Sequence, residues 1–208
     1  MSNYVFCQAC PEDSTLFTRL KTDARMYRLY VHLLPYGRGP FWASELDPDE
    51  LAVILDDLAR SPQGEQVFAN TMEVKRTLDA LQREIKEACT RYPGLENRAC
   101  FLDKTYEEIY ERLSEYFESN HQTEALILLA VLFDGDQTAM RPLELPEAFG
   151  DIGVVTAAEV KNVASILTSL PPEVLFDPVE EDWLAEDYGS LRTVYLDAAL
   201  RDEAIVVG

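Results

Sequence analysis

Positive charge is the first thing this 208-residue chain is short of: 18 Lys and Arg stand against 38 Asp and Glu, a formal net charge of −20. A phosphate backbone would be repelled by such a chain. Direct nucleic-acid binding is therefore not expected, and anionic membrane surfaces are disfavoured for the same reason. Histidine is scarcer still, with only His32 and His121. A Ser–His–acid or Cys–His site would need one of them beside a nucleophile, and no serine sits in a GxSxG elbow. The nine glycines form neither a P-loop nor a GxGxxG turn, so no phosphate-cradling loop is expected. The longest apolar run, Ala125–Phe133, falls well short of the ~20 residues of a membrane span. Met1–Cys10 has no basic n-region, so no secretory signal is read there and the cytoplasm is the expected compartment.

Cysteine is sparse as well: Cys7, Cys10, Cys89 and Cys100. Four cysteines in a chain this long do not make a disulfide scaffold. Cys7-Gln8-Ala9-Cys10 is a CxxC, but Cys89 and Cys100 are too far apart to complete a zinc site and no histidine is close by. Pro11 follows at once, where a redox motif would open a helix. The better reading is a strand with buried thiols, and no metal or cofactor is expected. Asp134-Gly135-Asp136 lacks the further oxygen ligands of a calcium loop and reads as a turn that ends a helix.

What is present suits a folded globular chain: 47% hydrophobic and 27% charged residues. Tyr4–Ala9 reads as a first strand, Ser14–Leu20 as a short helix, and Met26–Leu34, rich in Tyr, Leu and Val, as extended. Pro35–Pro40 is a loop by composition. Asp47, Pro48 and Glu50 open a helix whose inner face is Leu51, Ile54, Leu55 and Leu58, and Ser61–Gly64 breaks it. Spacings of three and four at Val74, Leu78, Leu81, Ile85, Cys89 and Tyr92 predict a long helix over about Glu65–Tyr92, stopped by Pro93-Gly94. Asp103 reads as the cap of the next helix, with Tyr106, Ile109, Tyr110, Leu113 and Phe117 inward and a row of glutamates outward. Glu124–Phe133 reads as a helix buried all round. A strand at Ile152–Val155 leads into a helix capped by Thr156 and Glu159, with Val160, Val163, Ala164 and Leu167 inward. Pro171–Ser190 reads as an irregular acidic loop, Leu191–Leu200 as the last helix, and Ala204–Val207 as a closing strand. The expected fold is α+β: a small mixed sheet with strands from both chain ends, flanked by about six or seven helices. Residues 1–208 read as a single domain, with an N-terminal subdomain over 1–100 left open.

At Leu102-Asp103-Lys104-Thr105-Tyr106 the chain resembles the leucine-aspartate-lysine-x-aromatic signature of the YfbM-like family, a family of unknown function. The family's aromatic is usually Trp, so Tyr106 is a departure, and Glu107 stands where the family has His. The resemblance extends through Leu126–Asp136, the strand-to-helix turn Gly153–Val160 and the closing stretch Leu191–Val207, and it includes the first strand. It implies an α+β fold and a small bacterial protein, and it brings no catalytic residues.

Charge is unevenly spread. Residues 1–100 hold 15 acids and 12 bases, a net of −3, and residues 101–208 hold 23 acids and 6 bases, a net of −17. The excess gathers on the glutamates after Asp103 and in Pro171–Ser190, which has no Lys or Arg. There Glu173, Asp177, Glu180, Glu181, Asp182, Glu186 and Asp187 surround Phe176, Trp183 and Tyr188. Acids around aromatics suit docking of a basic protein: the aromatics anchor, and the carboxylates supply complementarity and speed association. Of this set Trp183 and Tyr188, with the seven acids, are the expected partner-binding residues. The resulting expectation is a cytosolic inhibitory binding protein, an immunity protein for a cationic toxin with a nuclease favoured, either a monomer or a homodimer and not an enzyme. The rival expectation, following the family resemblance, is an enzyme or small-ligand binder with a pocket built from Asp103, Lys104, Tyr106, His32 and Trp42. A third is an oligomeric scaffold of paired apolar helices.

Overall fold

The structure is a computed structural model that describes residues 5–34, 41, 46–140, 142, 152–177 and 179–208. Tyr4, the Pro35–Pro40 loop and Trp42 lie outside the described residues. In chain order the elements are β1 (Val5–Cys10), α1 (Thr15–Thr22), α2 (Ala24–Leu33), α3 (Pro48–Arg60), the single turn α4 (Pro62–Glu65), α5 (Thr71–Arg91), β2 (Ala99–Leu102), α6 (Thr105–Ser119), α7 (Thr123–Asp134), the single turn α8 (Gln137–Met140), β3 (Gly153–Val155), α9 (Ala157–Thr168), the single turn α10 (Pro172–Leu175), α11 (Asp182–Arg201) and β4 (Ala204–Val207). The fold is α+β, with a four-stranded sheet in the order β2-β1-β4-β3. The two strands from the chain ends, β1 and β4, form its central pair. Every ladder is antiparallel where a mixed sheet was expected.

Helices cover both faces of this sheet. Phe6, Cys10, Val154, Ala204 and Val206 point into a core built with α1, α2, α3 and α5. Val5, Cys7, Ala9, Val155, Ile205 and Val207 point into a second core built with α6, α7, α9 and α11. Strand alternation therefore sends Cys7 and Cys10, three residues apart, to opposite faces. Both central strands are buried on two sides, which is why they read as continuous apolar runs rather than alternating ones. Gln8 is the polar exception. It is buried, and its amide nitrogen donates to the carbonyls of Leu95, Arg98 and Ala9, tying the turn before β2 onto β1.

Local caps fall where the sequence places them. Ser14 caps α1, the Asp47 carboxylate accepts from the backbone N–H groups of Asp49 and Glu50, and Thr156 with Glu159 forms a complete capping box on α9. Asn70, rather than Glu65, starts the long helix α5. Gly135 ends α7 with φ +59, and a Cβ there would meet the Val154 backbone at 2.9 Å, so only glycine lets this turn lie against β3.

Four expectations are corrected. Met26–Leu34 is not extended: residues 24–33 are helix α2, because the Asp23 carboxylate caps Arg25 and Met26 while Met26, Tyr27, Leu29, Tyr30 and Leu33 are all buried. Core burial at helical spacing outweighs the β-propensity of the tyrosines. Pro171–Ser190 is not an irregular loop. The Asp177 carboxylate turns the chain by accepting from Val179 and Glu180, and α11 begins at Asp182 with Leu184, Tyr188 and Leu191 on its buried stripe. Asp103 does not cap α6 through its side chain; only its carbonyl accepts, from Tyr106 N–H. Helix α7 is buried on one side only, with Ile127 68% exposed, because α6 and α9 cover a single face.

Candidate functional site

Helix α6 and the start of α11 are joined side by side, and both carry exposed acidic residues. Thr105 Oγ1 donates to the Asp187 carboxylate at 2.6 Å, and Arg112 pairs with Glu181. Thr105, Glu108, Arg112 and Glu115 recur at three and four on α6, so Glu108 and Glu115 flank that seam. On α11, Trp183 lies one turn before Asp187 and shares its stripe. Glu108, Glu111, Glu115, Glu173, Glu180, Asp182 and Glu186 are exposed, and so are Val174, Val179 and, at 51%, Trp183.

Not every expected residue belongs to that surface. Tyr188 is fully buried; its hydroxyl donates to the Leu170 carbonyl, and its ring packs on Phe176, which is also buried. Burial raises the Tyr188 phenol well above its ordinary value. Helix formation causes this correction, since residue 188 falls on the same inward stripe as Leu184 and Leu191. Glu181 and Asp187 hold α11 to α6 and are already engaged. Glu173, Asp177, Glu180, Asp182, Trp183 and Glu186 remain at the surface, although the Asp177 side chain is occupied by its own turn.

Trp42 lies outside the described residues, and the four described members of the alternative pocket do not come together. His32 lies on α2, where its Nε2 is 3.2 Å from the Ile54 carbonyl oxygen, in the layer of the first core. Tyr106 packs on the second core across the sheet, and Asp103 and Lys104 are exposed beside it. His121 is exposed in the turn between α6 and α7.

A different site was missed. Where β1 ends and β2 and β4 begin, an open cleft of about 920 Å³ is lined by Glu12, Asp13, Arg91, Tyr92, Arg98 and Arg201, with Asp202 and Glu203. At its floor Arg98 and Glu203 form a buried ion pair, with side chains 9% and 6% exposed. Arg98 Nη2 also donates to the Pro93 carbonyl at 2.7 Å. At the rim Arg91 pairs with Asp13 at 2.7 Å, and the Tyr92 hydroxyl donates to the same carboxylate. Partial burial, then that carboxylate, raises the Tyr92 phenol. Cys10 lies behind the floor; burial raises its thiol to about 12, with Glu203 and Glu12 adding and a Ser14 contact opposing. The available signal was Glu203 itself, a charge directly before a fully apolar strand. A second buried guanidinium, Arg28 on α2, leaves Nε and Nη2 without a hydrogen-bond partner among the described residues.

Among the described residues, no group of three or more His, Cys, Asp or Glu is placed to hold a metal ion, and no helix is long and apolar enough to cross a membrane. Comparison with known proteins adds no relative: no family model, no curated protein and no solved structure matches the chain.

Proposed function

We propose that this chain is an inhibitory binding protein whose acidic α6–α11 surface docks a basic protein, in the manner of an immunity protein held against a cationic toxin, with a nuclease favoured. The observation that carries this reading is a half-exposed Trp183 ringed by carboxylates. Glu108, Glu180, Asp182 and Glu186 have no ion-pair partner among the described residues, and Arg112 on α6 is committed to Glu181. A nuclease must present positive charge to phosphate, and a rigid row of carboxylates on two packed helices complements that charge. Trp183, with Val179 and Val174, supplies the apolar anchor that charge alone lacks.

The test is affinity isolation from the native cell with the wild-type chain, Trp183→Ala, and the triple variant Glu180→Gln, Asp182→Asn, Glu186→Gln. One basic protein should be retained stoichiometrically by the wild type. The triple variant should slow its association and flatten the salt dependence. Trp183→Ala should speed its dissociation, at a loss of about 2 kcal/mol or more. Retention that none of these changes affects would remove the surface assignment. Absence of any basic partner would remove the function.

A further inference from the structure

The cleft at the strand ends has a chemically incomplete floor. Glu203 is 4% exposed; one of its carboxylate oxygens accepts from Arg98, while Oε2 is buried and meets no donor among the described residues. Native structures seldom leave a desolvated carboxylate oxygen unmet. Arg98 cannot turn toward it without giving up the Pro93 carbonyl. The other charged groups of the cleft are largely committed. Asp13 holds Arg91, Glu12 accepts from the Ala157 N–H at 3.2 Å, and Asp202 pairs with Lys161 at 2.6 Å. Arg201 is the exception: it lines the cleft in the last turn of α11, is exposed, and has no ion-pair partner among the described residues. One unmet oxygen of a paired carboxylate and one guanidinium without an ion-pair partner among the described residues thus belong to the same cavity wall.

We propose that this cleft binds a small zwitterion carrying a primary ammonium and a carboxylate, the class to which free α-amino acids belong. The ammonium donates to Glu203 Oε2, and the carboxylate accepts from the Arg201 guanidinium. The carboxyl ends of α5 and α11 lie at the same cleft, and their partial negative charge favours the ammonium end. Four carboxylates against three guanidiniums line the cavity, so a phosphate ester would meet an excess of its own sign. A plain cation would leave Arg201 unanswered. This site is separate from the acidic α6–α11 surface and does not depend on that reading.

The test is calorimetric titration and thermal unfolding of the full chain with glycine, L-alanine, L-serine, L-lysine and L-glutamate at up to about 10 mM. The N-acetyl derivative and the methyl ester of each ligand that binds then remove one charge at a time. At least one free amino acid should raise the melting temperature in a concentration-dependent way, and both of its one-charge derivatives should fail to. Arg201→Ala alters an exposed side chain, so it should leave the ligand-free melting temperature near wild type while weakening binding about fivefold or more. Glu203→Gln should abolish the response and is read against its own ligand-free baseline. No response to any free amino acid overturns the proposal, and so does a response that the methyl ester or Arg201→Ala leaves unchanged.

Discussion

Removing Glu203 is the sharpest perturbation of this fold. Its carboxylate is the charge partner of Arg98, and both side chains are at least nine-tenths buried. Glu203→Ala therefore strands a guanidinium that keeps only its Pro93 contact. Breaking a buried pair from one side costs about 3–5 kcal/mol, most of it the penalty of the orphaned charge. Glu203→Gln preserves the volume and an acceptor for Arg98 and loses only the charge assistance, about 1–2 kcal/mol. Arg98→Met with Glu203→Leu removes both charges and should return to within about 2 kcal/mol of wild type. Equilibrium urea unfolding reads all of these. With a slope of about 2 kcal/mol per molar, Glu203→Ala should lower the midpoint by about 1.5–2.5 M without changing the slope. The double-mutant cycle, closed by the single variants Arg98→Met and Glu203→Leu, should return a coupling of about 4 kcal/mol or more. A single-variant midpoint within about 0.5 M of wild type, or additive losses in the double variant, would refute the claim that this buried pair holds β4 to the start of β2.

Three further outcomes follow from the same structure. Burial lowers the pKa of His32 below its ordinary 6.5, with the Ile54 carbonyl and Asp57 opposing in part. The unfolded chain then takes up that proton first, so stability present above about pH 6.5 is lost as the pH falls toward the lowered value; urea titrations between about pH 7.5 and 5 should show wild type losing more than His32→Gln, and equal losses would refute it. Arg28→Met should stabilise the protein by about 1–3 kcal/mol, because it removes buried donors with no acceptor among the described residues; a loss in the urea midpoint would show that the guanidinium is compensated. Cys7 faces Cys100 across the β1–β2 ladder and its thiol is raised well above the ordinary range, by that contact first and by burial; Cys10 stands at about 12 and half-buried Cys89 at about 11. Native protein should therefore release almost no thiol to a chromogenic disulfide reagent at about pH 8 and all of it in denaturant, and fast reaction of a CxxC pair would contradict the opposed placement of Cys7 and Cys10.

Much of the architecture was legible because it is written in short-range signals. Ser14, Asp47 and Thr156 start helices by accepting hydrogen bonds from N–H groups two or three residues on. Gly135 ends a helix through its own φ. The apolar strands at the two chain ends announce burial on both faces. The errors came where local composition misled. Tyrosine and valine suggested a strand at α2. Proline and acids suggested a loop where α11 begins, which wrongly left Tyr188 among the surface residues.

The sequence alone determined that most of the negative charge lies in the second half of the chain, and that acids surround Trp183. Which acids remain uncommitted was decided only in three dimensions. Glu181 is taken by Arg112 and Asp187 by Thr105, across 69 and 82 residues. The cleft belongs wholly to the tertiary structure. Arg98 and Glu203 stand 105 residues apart and meet because β1 places β2 and β4 on either side of it. Capping and periodicity act over one or two turns of chain, so they can be read from a string of residues. A buried ion pair and the cleft above it exist only once the ladder has set the register of strands that the sequence keeps far apart.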